Sequence, residues 1–349
     1  MDMFEKISRL TTLPGISGNE EVVCEAIKDM FREYTDDVWS DVMNNAYGRM
    51  GNPDGPTVLV MAHMDEVGLM VANIEDNGMV RLYNVAGVDP RVLPGSEVRI
   101  RGVQDVPAVI GALPPHLQKE GAENSNYAIE ELICDTGLPA DKVKELVRIG
   151  DVVTFAPFEP MKLKNRVIAG KTFDDRACVV GLLEIMDILK NYKLDCNLVV
   201  CASVQEESHF EGGITATYRV NPDMGIAIDV CHAPQPGAKP TDYTAFDTVA
   251  IGRGGNIHPK MFDLLKASAK EQNITWETDI MFSRTGTDAW PMQVQRGGIP
   301  TAVISLPLRY MHTSVEVISL DTLKNCAKVI AGMVAKIGGD WEELLCLDD

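Results

Sequence analysis

Two kinds of strand pattern follow one another along this chain, and their order constrains the fold more than any other feature. Towards both ends, continuous apolar runs such as Val58–Met61 and Asn197–Val204 alternate with helical patterns such as Ala177–Asn191. Continuous apolar runs are typical of strands buried on both faces, so this alternation predicts an α/β fold with a mainly parallel, helix-covered sheet. Between about residues 67 and 165 the runs are shorter and are punctuated by Gly, Pro and Asn, which predicts a small β-barrel or sandwich.

The simplest domain organisation joins both ends of the chain. Residues 1–66 and 166–349 then form the α/β domain, and residues 67–165 form a β domain inserted in its middle. The length of 349 residues suits two domains, because a domain typically has about 100–200 residues.

Charge and cysteine usage limit the classes of function. Lys and Arg number 32 against 51 Asp and Glu, a net charge of −19, and this sign argues against a general nucleic-acid binder. No apolar run approaches the ~18 residues of a membrane span, and the first residues, Met1–Lys6, lack the pattern of a signal peptide. The eight cysteines contain no CxxC pair. We therefore expect free thiols and a cytoplasmic protein without membrane or nucleic-acid partners.

Histidines and carboxylates accompany the predicted buried strands at their carboxyl ends. Ligands of open α/β sheets gather at this rim, so residues that are far apart in sequence are expected to converge there. The residues concerned are His63, Asp65, Asp174, Asp175, Glu206, Glu207, Asp229 and His312.

Each of these segments also has an ordinary structural interpretation. The Asp174-Asp175 pair could cap a helix, the Glu206-Glu207 pair could form a solvated turn, and His312 could be a surface histidine. Their convergence favours a cation, because crowded carboxylates repel one another without one. Two histidines with three or more carboxylates suit Zn²⁺, Mn²⁺ or Co²⁺, and their number suits two ions bridged by one carboxylate. The absence of cysteine from the set favours a catalytic site.

The order of these segments resembles one known family, the glutamyl aminopeptidase family of dinuclear metallopeptidases. This family includes the tetrahedral, dodecameric aminopeptidases and some members once labelled endoglucanase. The resemblance covers essentially the whole chain, including Gly286–Ala289. The segments that carry it are Ala62–Gly68, Asp174–Arg176, Gln205–Glu207, Ala227–Val230 and Arg309–His312.

The resemblance implies a role for each matching residue. It implies one metal ion on His63, Asp174 and Asp229. It implies a second ion on Asp174, Glu207 and His312, so that Asp174 bridges the two. Glu206 would be the general base, and Asp65 would orient the imidazole of His63.

The resemblance also implies the activity and the assembly. The chain would be a metal-dependent aminopeptidase with a zinc-peptidase-like fold, using two divalent ions, Zn²⁺ first and Co²⁺ or Mn²⁺ as alternatives. Peptides would be its substrates. The inserted β-barrel would make dimer contacts within a homo-oligomer, a dodecamer in the relatives.

One segment, Ser208–Gly213, departs from the family pattern. His209 stands where the family usually has glycine, and Glu211 where a basic residue is common. The segment is either a locally rebuilt loop or a place where these two side chains shape the substrate pocket. Arg309 is a further pocket candidate, since it could contact substrate or pair with the acidic cluster.

Three rival functions remain open from the sequence. A deacylase or a carboxypeptidase-type amidohydrolase would use the same metal site. A glycosidase would need a carboxyl pair and no metal. A non-catalytic assembly protein could retain the fold without the chemistry.

Overall fold

A computed structural model describes residues 1–117 and 127–347 of the chain. Its strands are β1 (Val38–Ser40), β2 (Ala46–Gly51), β3 (Thr57–His63), β4 (Gly68–Ile74), β5 (Val80–Val85), β6 (Glu97–Arg101), β7 (Asp105–Gly111), β8 (Ile133–Asp135), β9 (Val152–Phe155), β10 (Met161–Lys162), β11 (Val167–Gly170), β12 (Asn197–Ser203), β13 (Met224–His232), β14 (Val249–Gly254), β15 (Trp276–Met281), β16 (Thr301–Leu308) and β17 (Glu316–Ser319).

Ten α-helices lie before, between and after these strands in the described residues. They are α1 (Met3–Thr11), α2 (Glu21–Phe31), α3 (Ala140–Leu146), α4 (Phe173–Leu189), α5 (Glu206–His209), α6 (Glu211–Val220), α7 (Pro259–Glu271), α8 (Ala289–Gln293), α9 (Leu320–Val334) and α10 (Trp341–Leu345). Across the described ranges, every helix is too short or too polar to cross a membrane.

The main sheet has eight strands in the order β1-β2-β12-β3-β13-β16-β14-β15. Its centre, from β12 through β3 and β13 to β16, is parallel, whereas β2 and β14 join this centre as antiparallel strands. The central strands are apolar along almost their whole length because both faces are covered. The prediction of a mainly parallel, helix-covered sheet is confirmed.

Helices pack on both faces of this sheet. The larger hydrophobic cluster joins α1, α2, α4, α7 and α9 to one face, and Ile7, Phe31 and Leu323 are completely buried within it. A smaller cluster on the other face joins residues of β2, β3 and β12 to α6 and α8 through Ala216 and Met292. The sheet is therefore a rigid middle layer, and its carboxyl-end rim is held in place from both sides.

The inserted segment forms a closed six-stranded barrel in the order β4-β5-β8-β7-β6-β9. Along β7 exposed and buried residues alternate strictly, as a barrel strand with one solvent-facing side requires. The barrel has a hydrophobic cluster of its own, separate from the clusters of the main sheet. The barrel that the sequence predicts is present, while the domain boundaries at residues 66/67 and 165/166 stay a prediction.

A small three-stranded sheet, β10-β11-β17, follows the barrel. Strands β11 and β17 are antiparallel, with Val167 opposite Ser319 and Gly170 opposite Glu316. Strand β11 is followed closely by α4. The small sheet therefore brings the start of α4 next to the start of β17. This juxtaposition helps to form the site described below.

Candidate metal centre

Strand register brings the first group of candidate residues to one rim. His63 ends β3 and pairs with Ser203, which ends β12 just before Glu206. On the other side of β3, Ala227 of β13 pairs with Met61, so that Asp229 lies level with His63. Residues from three strands thus meet at the carboxyl end of the sheet, as the sequence predicts.

Asp174 lies at the centre of the cluster, between the two histidines. Its Oδ1 is 3.1 Å from His63 Nε2, and its Oδ2 is 3.3 Å from His312 Nε2. Glu207 Oε1 is also 3.3 Å from His312 Nε2. A carboxylate that presents one oxygen to each imidazole has the arrangement that a bridging metal ligand needs.

Two groups of side chains are compact enough to hold a metal ion. One consists of His63, Asp174 and Glu207, and the other of His63, Asp175 and Asp229. The structure thus brings together all five predicted ligands, with His312 joined through Asp174 and Glu207. It also adds Asp175, which the sequence analysis named but gave no ligand role. The division of the ligands between two ions stays a prediction.

The start of α4 is shaped to present its two aspartates. Thr172 has a left-handed φ of 62°, Asp174 and Asp175 have non-helical dihedral angles, and the peptide bond between them is cis. The cap residue of the helix is Thr172, and its side chain makes no capping hydrogen bond. Asp175 Oδ2 accepts a 3.2 Å hydrogen bond from the backbone N–H of His63. Asp175 thus ties the start of α4 to the end of β3.

Asp65 contacts His63, Glu206 and Glu207 and so supports the site. Its carboxylate is fully buried and lies 3.3 Å from His63 Nδ1. It also accepts hydrogen bonds from the backbone N–H groups of Glu206 and Glu207, at 3.0 and 3.2 Å, and from Ser17 Oγ at 2.6 Å. Burial opposes ionisation, but His63 and these donors together lower the pKa of Asp65.

Glu316 is a site residue that the sequence analysis missed. Its buried carboxylate accepts backbone N–H groups from Phe173 at 2.6 Å, Asp174 at 3.2 Å and His312 at 3.0 Å. It therefore fixes the backbone on both sides of the Asp174–His312 contact. Because it acts through backbone N–H groups, no side-chain pattern in the sequence points to it.

The electrostatics of the cluster favour a cation. Burial raises the pKa of Glu206 and of Asp229 well above the usual carboxyl range, and neighbouring carboxylates add to the effect. Burial lowers the pKa of His312, but its hydrogen bonds to Asp174 and Glu207 outweigh burial and raise this pKa to about 11. Within residues 1–117 and 127–347, no lysine or arginine forms an ion pair with the cluster carboxylates.

The donor set therefore fits divalent metal ions. It offers imidazole nitrogens and carboxylate oxygens, which Zn²⁺, Co²⁺ and Mn²⁺ accept, and it lacks thiolate. Bound cations would supply positive charge to carboxylates that, among the described residues, no lysine or arginine pairs with.

The three pocket candidates lie in different surroundings. Glu211 accepts hydrogen bonds from Ser208 Oγ at 2.9 Å and from the backbone N–H of His209 at 3.0 Å, and the His209 side chain is exposed. Glu211 thus closes the turn between α5 and α6, which agrees with a locally rebuilt loop.

Arg309 does not join the acidic cluster in the part of the chain that the structure describes. Its Nε donates to the carbonyl of Pro234 at 2.9 Å, and its guanidinium lies 4.2 Å from the ring centroid of Phe246. These contacts hold the start of the loop that carries His312. No ion pair joins Arg309 to the carboxylates among the described residues, and its contact with substrate stays a prediction.

Comparison with known proteins gives one consistent result. Residues 44–329 match the M42 glutamyl aminopeptidase family. The chain is 31% identical over 342 residues to the lysyl aminopeptidase of Pyrococcus furiosus, covering 96% of this chain and 97% of that protein.

Solved structures agree with this result. An aminopeptidase from Desulfurococcus kamchatkensis superposes with a TM-score of 0.91 at 30% identity, over 99% of both chains. The TET1 peptidase of Pyrococcus horikoshii, which can assemble into a tetrahedron or a large octahedral shell, superposes with a TM-score of 0.84 at 28% identity. The match covers 96% of this chain and 100% of that one.

Proposed function

Because the chain belongs to the M42 glutamyl aminopeptidase family and is a hydrolase, we propose that it removes N-terminal residues from peptides with the help of two divalent metal ions. One observation carries the proposal: the carboxylate of Asp174 faces His63 with one oxygen and His312 with the other, at 3.1 and 3.3 Å.

The proposed ligands fall into two overlapping sets. His63, Asp174 and Asp229 would hold one ion, while Asp174, Glu207 and His312 would hold the other. We propose Zn²⁺ first, with Co²⁺ or Mn²⁺ as alternatives, because the set combines imidazole with carboxylate. Two such ions supply Lewis-acid activation of water and of the scissile carbonyl.

Glu206 is the proposed general base. It begins α5, its backbone N–H is fixed by Asp65 at 3.0 Å, and its Oε2 lies 3.9 Å from His63 Nε2. Burial raises its pKa, which favours a group that takes a proton and later returns it. Glu206 would accept the proton of the attacking water and deliver it to the leaving amine. Asp65 would hold both Glu206 and His63 in place for this step.

The proposal extends to the assembly and the location. The tetrahedral and octahedral assemblies of the relative from P. horikoshii support a homo-oligomer for this chain. We propose a dodecamer built from dimers, with the inserted barrel making the dimer contacts. All eight cysteines are free thiols, and we retain the cytoplasmic location as a prediction.

The rival amidohydrolases differ from an aminopeptidase in the end of the substrate that they bind. A panel of aminoacyl-p-nitroanilides and N-acyl amino acids, after reconstitution with Zn²⁺, Mn²⁺ or Co²⁺, separates the two. We expect hydrolysis of the aminoacyl compounds only, and loss of that activity in a chelator.

Three results would contradict the proposal. Hydrolysis of only the N-acyl compounds would indicate a deacylase or carboxypeptidase-type enzyme. Glycosidase activity that survives a chelator would indicate a carboxyl-pair mechanism. Binding of fewer than about one metal ion per chain, with no turnover, would favour a non-catalytic assembly protein.

A further inference from the structure

His312 differs from His63 in how the fold holds it. His63 lies on β3 of the main sheet, whereas His312 lies on the loop between β16 and β17. Its backbone has a left-handed φ of 62°, which is uncommon for a residue with a side chain. A residue in such a loop needs contacts from elsewhere to fix its imidazole.

Two of those contacts come from the inserted barrel. We call residues 86–89, which follow β5, the barrel loop. The carbonyl of Gly87 accepts a hydrogen bond from His312 Nδ1 at 2.8 Å. The backbone N–H of Asp89 points at the carbonyl of His312 at 3.5 Å. The barrel loop thus contacts both the ring and the backbone of His312.

A metal ion binds the neutral imidazole, and in that form the hydrogen bond to Gly87 determines which ring nitrogen carries the proton. A carbonyl oxygen only accepts, so Nδ1 must be the donor. In the neutral imidazole this leaves Nε2 unprotonated, and Nε2 is the atom that faces Asp174 and Glu207 at 3.3 Å. The barrel loop therefore selects the tautomer and the ring orientation that metal binding requires.

The close approach depends on glycine at position 87. A Cβ built there would lie 2.7 Å from His312 Nδ1 and 2.9 Å from its Cε1. Both distances are shorter than carbon atoms in proteins tolerate, so the ring or the loop would have to move. Gly87 does not have the positive φ that favours glycine. The requirement is one of space rather than backbone conformation.

We propose that Gly87 is a positioning residue for the second metal ion, and that the inserted barrel thereby contributes to the metal centre as well as to any assembly. The inference rests on the proposed function, because it concerns the ion assigned to His312. Asp65 of the main domain lies 3.3 Å from His63 Nδ1 and would orient that ring. A change at Gly87 should therefore affect one ion and spare the other.

The test compares Gly87→Ala with Gly111→Ala. Gly111 is also an exposed glycine of the barrel, but an added Cβ there meets nothing closer than 3.9 Å. The metal-free proteins are titrated with Co²⁺ or Zn²⁺ by calorimetry, and the visible absorption of bound Co²⁺ reports the coordination of each ion. We expect one binding step of Gly87→Ala to weaken by roughly 10–100-fold while the other is unchanged. Gly111→Ala should match the wild type.

A second variant guards against misfolding of Gly87→Ala. Insertion of one glycine between Gly87 and Val88 moves the same carbonyl without adding a side chain, and it should produce the same selective loss. If the folded variants bind both ions as tightly as the wild type, or weaken both equally, the positioning role is refuted. A wild-type protein that binds fewer than two ions would instead contradict the proposed function itself, and the inference with it.

Discussion

The fully buried guanidinium of Arg176 offers a quantitative test of how the site is supported. It donates to the carbonyls of Met64 at 2.8 Å, Leu10 at 2.9 Å, Leu13 at 2.6 Å and Gly15 at 3.2 Å. Through these bonds it ties the segment after α1 to the residues that follow β3. Ser17, further along that segment, donates to Asp65, so the same bonds support the candidate metal centre indirectly.

We consider Arg176→Met, which keeps much of the volume and removes the donors. In this variant the carbonyl of Leu10 still accepts from the N–H of Leu13, and the carbonyl of Gly15 still accepts from the N–H of Glu66. The carbonyls of Met64 and Leu13, in contrast, lose the only hydrogen bond that the described residues give them. An unsatisfied buried acceptor costs about 1–3 kcal/mol. The Met64 carbonyl is buried, whereas the Leu13 carbonyl is partly open to water. We therefore expect the free energy of unfolding to fall by roughly 1–3 kcal/mol, mainly through Met64.

Glu66 limits the additional electrostatic cost. Arg176 approaches Glu66 Oε1 at 3.4 Å, but Lys171 remains paired with Glu66 Oε2 at 2.6 Å. Because this carboxylate keeps a buried partner, we add no further penalty for an isolated charge.

The assay is guanidinium unfolding of the metal-free proteins, because bound metal would add stability of its own. Arg166→Met is the matched control, since Arg166 pairs with Asp321 at 2.7 Å with both side chains more than half exposed. Such a surface pair contributes about 0–1 kcal/mol. If Arg176→Met loses no more stability than Arg166→Met, the interpretation of Arg176 as the support of this segment is refuted.

Two further predictions concern single carboxylates. Glu206→Gln should keep its metal content, measured by elemental analysis, while kcat on an aminoacyl-p-nitroanilide falls by about 10²–10⁴-fold, and substantial remaining activity would refute the general-base role. Burial raises the pKa of Glu20 to about 7, and one oxygen of Glu20 accepts from both Gly18 and Gln205. The folded state then binds this proton more tightly than the unfolded state, so the stability from this group is present below the unfolded pKa of ~4.3 and is lost as pH rises to about 7. Glu20→Gln keeps an oxygen that can accept both hydrogen bonds but has no proton to lose. Between pH 4 and 8, the free energy of unfolding of the wild type should therefore fall relative to that of Glu20→Gln. If the two free energies of unfolding change in parallel with pH, the prediction is wrong.

The sequence predicts the parts of the fold whose pattern is strong. Strands β3, β12, β13 and β16 are continuous apolar runs, and their short length and the turn residues beside them favour buried strands. Strands β2 and β15 were missed because their patterns are weak. Strand β2 contains glycines, and β15 is a polar strand at the edge of the sheet. Tertiary pairing, rather than local propensity, places both in the sheet.

In the candidate site, too, some contacts can be predicted from the sequence pattern and others cannot. Residues at strand ends, such as His63 and Asp229, can be expected at one rim because sheet topology alone brings them together. The contacts of Glu316 and Gly87 could not be predicted from their residue types. Glu316 acts through backbone N–H groups, and Gly87 acts through its own carbonyl, so neither contact leaves a pattern in the side chains.

The small sheet gives these two contacts a common origin. Glu316 begins β17 and pairs with Gly170 of β11, three residues before the start of α4. That pairing places the Glu316 carboxylate where it can accept from the N–H groups of Asp174 and His312. The pairing of β11 with β17 and the buried side chain of Glu316 therefore hold the backbones of Asp174 and His312 close together. The barrel loop contacts the same His312 through the carbonyl of Gly87, so the geometry of the proposed second ligand set depends on both the small sheet and the barrel.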